Sequence, residues 1–197
     1  MSKKVWGGRF RDDINELVDS FNSSIGFDRR LYPQDIEGTR AHCLMLAKQG
    51  LINDDEASQV TSALAEIKRE MDRGEFPLED DHEDIHSLIE KTLVERVGML
   101  GEKIHTGRSR NDQVALDTRI FVRESITGIT DLINDMQVTL IGLAENNFEL
   151  ILPGYTHLQP AQPVLLAHHL LAYFEMLKRD RSRFNNSLKR VNVMPLN

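Results

Sequence analysis

The strongest constraint on the fold is a long stretch of helical periodicity that no proline interrupts, from Asn111 to about Asn147. Apolar residues recur along it every three or four positions, which is the spacing of one face of an α-helix. At 1.5 Å per residue, a helix of roughly 35 residues is about 50 Å long. This length exceeds what a compact domain of this size needs, so the sequence predicts a single helix that extends well beyond one.

A second long helix is predicted from near Pro163 to about Val191, after Pro153 and Gly154 interrupt the first pattern. The short connection makes the two helices antiparallel neighbours. Their combined apolar stripe is too large for the pair to bury by itself. We therefore expect further helices, from a continuation of the chain or from other subunits, to pack against them.

The first half of the sequence predicts shorter helices with ordinary start and stop signals. Proline or acidic residues open the apolar runs, and glycines close them. No segment alternates apolar and polar residues as a half-buried strand does. The predicted fold is all-α, with a small helical head domain at residues 1–106 and the start of a helical bundle at residues 107–197. The predicted head helices cover residues 12–20, 33–50, 54–74 and 83–97.

Charge and composition exclude several classes of protein. The 24 basic and 31 acidic residues give a net charge of −7, which argues against nucleic-acid binding. No apolar run approaches the roughly 20 residues that a membrane-spanning helix requires. The single Cys43 cannot form an intrachain disulfide, and the N-terminal residues lack the apolar core of a signal peptide. These features predict a cytoplasmic protein.

The densest polar cluster runs from His105 to Gln113, directly before the first long helix. Ser109, with Asp112 three residues later, fits a capping box at a helix start. A cap requires no arginines, whereas Arg108 and Arg110 are donors suited to carboxylates, and the free amides of a helix start add positive potential. Two interpretations therefore stay open, a plain helix start and a site for an anionic substrate.

A second cluster lies in the Pro- and Gly-rich connection between the two long helices, at residues 153–163. Such a stretch is ordinarily only a loop, and a lone histidine in a loop is more often structural than catalytic. However, Thr156, His157, Gln159 and Gln162 place hydrogen-bonding groups and a side chain that titrates near neutral pH at one end of a bundle. A catalytic role for His157 is therefore the less favoured interpretation until further information is added.

A third segment, from His82 to His86, matches H-E-x-x-H, the pattern of zinc metalloproteases. That motif needs one helix running through both histidines. Here Asp80 and Asp81 precede His82, which is typical of a helix N-terminus, and no further ligand follows at the expected spacing. We interpret the match as accidental and predict no metal site.

Five segments together resemble the argininosuccinate lyase family of the fumarase/aspartase superfamily. They are WGGRF at residues 6–10, FNSSI at 21–25, EDIH at 83–86, TGRSRNDQ at 106–113 and GYTHLQ at 154–159. The T-H-x-Q element is shared across the superfamily, whereas TGRSRND combined with WGGRF is more specific to argininosuccinate cleavage. Pro160, where some relatives have arginine, is a small departure that leaves the Thr-His pair intact.

The resemblance implies a reversible, cofactor-free elimination of fumarate from argininosuccinate, which releases arginine. Such chemistry needs a base, donors that stabilise a carbanion beside a carboxylate, and an acid for the leaving nitrogen. Carried over by position, His157 is the catalytic acid or base. The residues implied in substrate binding are Ser24, Asp84, Arg110, Asn111 and Thr156.

The resemblance also implies a homotetramer whose subunits share a helical core and contribute different motifs to each active site. The superfamily's third motif, G-S-S-x-M-P-x-K-x-N with its catalytic serine, has no counterpart in the sequence. We therefore expect an N-terminal part of a lyase that is inactive alone. Two alternatives stay open: a non-catalytic helical oligomerisation module, since relatives serve as lens crystallins, and a zinc hydrolase using His82, Glu83 and His86.

Overall fold

A computed structural model describes residues 16–76 and 83–196, so the WGGRF segment lies outside the described residues. The protein is 75% helical, with a single two-stranded sheet among the described residues, which confirms the predicted helical fold class. A 3₁₀ turn at Arg29–Leu31 joins the second and third helices. The elements are α1 (Glu16–Asn22), α2 (Ile25–Asp28), α3 (Tyr32–Lys48), α4 (Asp54–Asp72), α5 (Ile85–Val97), α6 (Met99–Lys103), α7 (Arg110–Asn146), β1 (Ile151–Thr156), β2 (Gln159–Leu165) and α8 (Leu166–Val191).

The chain divides into two compact units. The N-terminal unit comprises the residues up to Thr118 together with 195–197, and the C-terminal unit comprises Arg119–Met194. The dividing point falls inside α7, whose 37 residues belong partly to each unit. The predicted domain boundary at residues 106/107 stays a prediction.

The core of the N-terminal unit lies between α3, α4 and α5. These helices follow the sequence signals closely. A capping box opens α4, because the Asn53 side chain accepts from the Glu56 amide at 2.8 Å while the Glu56 carboxylate accepts from the Asn53 amide at 2.9 Å. Gly98 ends α5 at a φ of +63°, a left-handed conformation that glycine adopts without steric cost. The fully buried apolar side chains include Cys43, Leu46, Val60, Leu64, Ile67, Ile85, Ile89 and Leu93.

In the C-terminal unit, α7 and α8 run alongside each other and bury only part of their apolar surface. The Gln137 side chain crosses between them and donates to the Phe174 carbonyl oxygen at 3.2 Å. Large apolar side chains on α7 stay exposed, including Leu132 at 69% and Val138 at 62% of their surface. The expectation that further helices cover this surface stays a prediction.

The connection between the two long helices is a β-hairpin, which corrects the prediction of a loop followed by a helix from Pro163. Strands β1 and β2 are antiparallel, with Ile151 opposite Leu165 and Thr156 opposite Gln159. The helix α8 begins three residues after Pro163, at Leu166. Proline is normally excluded from strands because it lacks an amide donor, but both strands of a two-stranded sheet are edges, where proline is tolerated.

An irregularity in the hairpin register explains Gly154. The pairing shifts between Pro153 and Tyr155, so that Gly154 faces the opposite strand closely. A Cβ atom at this position would lie 2.8 Å from the Gln162 carbonyl oxygen. Only glycine fits there without displacing the backbone.

None of the helices within residues 16–76 and 83–196 combines the length and the apolar character that crossing a membrane would require.

Candidate functional site

The segment that carries Ser24 is bound to the start of α5 through Asp28. The Ser24 hydroxyl donates to one carboxylate oxygen of Asp28 at 2.5 Å, and the Ile85 amide donates to the other at 3.2 Å. The Ser24 amide also donates to the Glu83 carbonyl oxygen at 2.8 Å. Asp28 is buried, and this burial raises its pKa although the Ser24 and Ile85 hydrogen bonds oppose the rise. Asp28 thus holds Ser24 beside Asp84.

Ser24 and Asp84 line one open pocket of about 310 Å³. Asp84 is the N-cap of α5, where its carboxylate accepts from the Ser87 amide at 2.6 Å. Apolar and polar side chains complete the pocket wall, namely Phe27, Arg30, Leu31, His86, Val114 and Thr118. Two of the predicted substrate-binding residues are therefore neighbours at a surface that can admit a small molecule.

The first turn of α7 confirms the predicted helix start. The Ser109 amide donates to the Asp112 carboxylate at 3.0 Å, and the Ser109 hydroxyl accepts from the Asn111 amide at 3.2 Å. Arg110 is engaged by acceptors of its own unit, donating to Glu90 at 2.6 Å and to the Gln113 side-chain oxygen at 2.8 Å. The Asn111 residue is exposed. The alternative interpretation, a site for an anionic substrate, stays a prediction.

A buried polar cluster that sequence reasoning missed lies between α3, α5 and α7. The His86 Nδ1 atom is 3.1 Å from an Asp35 oxygen and 3.2 Å from an Asp117 oxygen. The Gln113 side-chain amide donates to the same Asp35 oxygen in a short hydrogen bond. Arg108 lies nearby and donates to the Thr39 hydroxyl at 3.2 Å. All three titratable side chains, Asp35, His86 and Asp117, are at most 2% exposed.

The two carboxylates control the protonation of His86. Burial by itself lowers the pKa of an imidazole, but the close carboxyl groups of Asp117 and Asp35 outweigh it and raise the pKa of His86 to about 10. Burial, aided by the negative charge of Asp35, raises the pKa of Asp117 to about 7. The cluster therefore holds an imidazolium ion between two carboxyl groups at neutral pH.

The same three side chains are the described residues that come nearest to a metal-binding arrangement, with one ligand atom each and all within 4.8 Å. Two carboxylates and an imidazole would suit a divalent cation. However, the Gln113 amide already donates to the Asp35 oxygen, and the positive charge of Arg108 acts on both carboxylates. A proton on His86 accounts for the observed distances with no ion.

Within the described residues, the H-E-x-x-H segment from Glu83 to His86 is not one continuous helix. Helix α5 begins at Ile85, so Glu83 precedes the helix while His86 is inside it. His82 lies outside the described residues. The interpretation of this segment as a helix N-terminus is confirmed.

Thr156 and His157 lie at the hairpin tip, in the C-terminal unit. His157 and Leu158 form the two-residue turn with φ values of +49° and +62°, both left-handed. This is the arrangement of a type I′ turn, in which Asn-Gly is strongly preferred. A left-handed residue other than glycine or asparagine costs roughly 1–2 kcal/mol. Both Thr156 and His157 are exposed.

Comparison with known proteins places this geometry in a family. The model of a family described as lyase matches residues 8–197. The chain belongs to this lyase family. Curated argininosuccinate lyases of Acetivibrio thermocellus and Carboxydothermus hydrogenoformans are 51% and 53% identical to it over 98% of its length. The chain spans 42% of the length of each of these relatives.

Solved structures of lyases have the same fold. EDDS lyase in complex with formate superimposes with a TM-score of 0.71 at 27% sequence identity. The superposition covers 84% of the present chain and 32% of the EDDS lyase chain. A fumarate lyase from Mesorhizobium sp. BNC1 superimposes with a TM-score of 0.66 at 23% identity, covering 87% of this chain and 42% of its own.

The predicted site residues of the lyase fall into two groups. Ser24, Asp84, Arg110 and Asn111 are in the N-terminal unit, at the first turns of α2, α5 and α7, whereas Thr156 and His157 are in the C-terminal unit. Their roles in binding and catalysis stay predictions. Asp28 and Asp35, which contact residues of the first group or their neighbours, were not singled out by any motif in the sequence.

Proposed function

We propose that the full-length protein to which this chain belongs eliminates fumarate from argininosuccinate and releases arginine. The observation that carries this proposal is the identity of about 50% to curated argininosuccinate lyases across nearly the whole chain. Those relatives are named argininosuccinate lyases, and the aligned region includes both groups of predicted site residues.

The reaction breaks one carbon–nitrogen bond. A base removes a proton from the carbon beside one carboxylate of the succinate moiety, and the electron pair left there is stabilised as an aci-carboxylate. That pair then forms the double bond of fumarate as the bond to the guanidino nitrogen breaks. An acid protonates the departing nitrogen, which leaves as arginine. Atoms and charge balance with two proton-handling groups and no cofactor.

We assign one of these groups to His157. Its imidazole is exposed at the end of a hairpin, and the turn beneath it adopts left-handed φ values that neither His157 nor Leu158 favours. A turn selected only for stability would use Asn-Gly. Strain that persists at a particular residue supports a functional use of its side chain.

The remaining assignments concern substrate binding by Ser24, Asp84, Arg110, Asn111 and Thr156. The shared pocket of Ser24 and Asp84 supports a joint role for these two residues. Asn111 is exposed in the first turn of α7, where the free amides of a helix start favour a carboxylate. Thr156 is exposed and directly precedes His157 at the hairpin tip, which supports its assignment to the same site.

We further propose a cytoplasmic homotetramer and an inactive isolated chain. The exposed apolar side chains of α7 and α8 support assembly through this surface. Inactivity of the 197-residue chain is expected because the second proton-handling group, a serine, belongs to a motif that its sequence does not contain.

The test is a completed enzyme, in which the C-terminal remainder of the Carboxydothermus hydrogenoformans relative is joined after Asn197. The absorbance of fumarate is followed with argininosuccinate as substrate, and the relative itself is the positive control. We expect a kcat of roughly 1–10³ per second. A correctly assembled chimera that releases no fumarate from argininosuccinate would contradict the proposal, and activity on EDDS alone would redirect it to another substrate.

A further inference from the structure

Asp35, in α3, contacts α5 and α7, the two helices whose starts carry the predicted substrate-binding residues Asp84, Arg110 and Asn111. It lies in the first turn of α3 and is fully buried. One of its carboxylate oxygens contacts His86, two residues after Asp84 in α5. The same oxygen accepts the hydrogen bond of Gln113, in the first turn of α7. Neither charge pattern nor motif singles out this residue in the sequence.

The contacts continue from Asp35 to Arg110. The Gln113 side chain donates to Asp35 with its nitrogen and accepts from Arg110 with its oxygen, at 2.8 Å. Because the amide is engaged at both ends, it cannot rotate without breaking a hydrogen bond. Arg110 then reaches Glu90 of α5 at 2.6 Å. The orientation of Arg110 therefore depends on a buried carboxylate that does not touch it.

Helices α3 and α7 also approach each other closely beside this contact. A Cβ atom on Gly38 would lie 3.1 Å from the Leu116 side chain and 3.2 Å from an oxygen of Asp117. At so close an approach a displacement of α7 by even part of an ångström is resisted by packing. Asp35 thus acts at a junction where small shifts are transmitted rather than absorbed.

The charges around Asp35 favour a tight arrangement. The His86 side chain of α5 faces Asp35 of α3 and Asp117 of α7, and its charge also attracts Asp28 of α2. The positive charge of Arg108 attracts both Asp35 and Asp117. One oxygen of Asp35 has no hydrogen-bond partner among the described residues. An uncompensated buried carboxylate is costly, so the cluster depends on the positive charge of His86.

We propose that Asp35 is a positioning residue of the lyase, which orders the start of α7 with Arg110 and the start of α5 with Asp84 for substrate binding. This inference rests on the proposed function, because that function assigns Arg110 and Asp84 to the substrate. A misplacement of about 1 Å in a binding group costs up to about a hundredfold in activity.

The first test compares Asp35→Asn with Glu37→Gln in the completed enzyme. Glu37→Gln is a matched control because it also removes one negative charge from α3, but at an exposed position where Glu37 pairs with Arg40. Asp35→Asn should raise KM for argininosuccinate at least about tenfold while changing kcat less than threefold, and Glu37→Gln should change neither. A merely structural role would lower the amount of active enzyme and the apparent kcat but leave KM unaltered.

A second variant separates positioning from folding. Gln113→Met keeps the volume of the side chain and the His86 pair but removes the connection between Asp35 and Arg110. It should also raise KM at least about fivefold. An unchanged KM in folded Gln113→Met would overturn the proposal, whether or not Asp35→Asn folds.

The nuclear magnetic resonance signals of the histidines in the 197-residue chain provide a readout that is independent of activity. In nuclear magnetic resonance spectra, His86 should be an imidazolium at pH 8 in the wild type and in Gln113→Met. In Asp35→Asn it should lose its proton at a lower pH. A neutral His86 at pH 8, or a stoichiometric divalent ion that resists dialysis, would overturn the charge arrangement. If the completed enzyme released no fumarate while His86 behaved as stated, the proposed function alone would fail.

Discussion

Raising the pH from 7 to 9 should destabilise the N-terminal unit through His86. In the unfolded chain this histidine loses its proton near its ordinary pKa of 6.5, whereas in the folded protein its pKa is about 10. Across this window the folded state therefore holds one proton more than the unfolded state. The stabilisation is fully present below pH 6.5 and is lost as the pH rises towards 10.

The magnitude follows from the slope for one proton, about 1.4 kcal/mol per pH unit. Between pH 7 and pH 9 the free energy of unfolding should fall by about 3 kcal/mol, which is a large fraction of the stability of an ordinary domain. Asp117 adds a fall of the same sign at lower pH, because burial raises its folded-state pKa from 3.8 to about 7. Burial raises the pKa of the Cys43 thiol in the folded state, so its ionisation in the unfolded chain adds a small fall of the same sign near pH 9.

Urea unfolding at constant protein concentration measures this slope, with circular dichroism at 222 nm as the signal and about half-unit steps of pH. In His86→Gln the slope between pH 7 and pH 9 should become nearly flat, although the variant is less stable at pH 7. A wild-type stability that stays constant or rises over this range would refute the reasoning, because it would mean that His86 is neutral in the folded protein.

Three further predictions concern catalysis, folding and assembly. In the completed enzyme, His157→Asn should lower kcat by about two to four orders of magnitude with a smaller effect on KM, and more than a tenth of wild-type kcat would exclude His157 as the acid or base. Asn53→Ala should lower the stability of the chain by about 1 kcal/mol through loss of the capping box, whereas Ser58→Ala, exposed in the same helix, should change it by less than about 0.5 kcal/mol in denaturant titration. The 197-residue chain should form dimers or larger species in size-exclusion chromatography with light scattering, and a well-behaved monomer would contradict the packing argument.

Helices were predictable from the sequence because their signals are local. The predicted long helix from Asn111 to Asn147 differs from the observed α7 by one residue at each end. Apolar spacing, caps and terminal glycines all act within a few residues of each other. In this chain these local signals indicate the same helices, which are the helices of the fold.

The hairpin was not predictable because its prolines and its turn residues are typical of a loop rather than of a β-hairpin. Prolines at 153, 160 and 163 argue against strands in general, and the turn residues His157 and Leu158 are not those that mark a type I′ turn. The structure accommodates all three prolines because neither strand has a neighbour on its outer edge among the described residues. Sequence rules derived from larger sheets therefore fail in a two-stranded one.

The buried cluster was not predictable for a different reason. Asp35, His86 and Asp117 are separated by about 30 to 50 residues and meet only when α3, α5 and α7 pack. In sequence His86 was grouped with its neighbours His82 and Glu83, whereas in the structure its partners come from other helices. Arg110 shows the same limit, because its type suggested a free donor for an anion while packing supplies it with Glu90 and Gln113.

The two histidines of the recognised motifs differ in a way that separates their roles. A general acid or base must reach the substrate and change its protonation state near the working pH. His86 is 2% exposed and is held as an imidazolium by two carboxylates, so it can do neither at neutral pH. His157 is exposed at a strained turn, where its imidazole is free to meet a substrate. We therefore propose that the buried histidine helps to order the binding residues and that the exposed histidine transfers the proton.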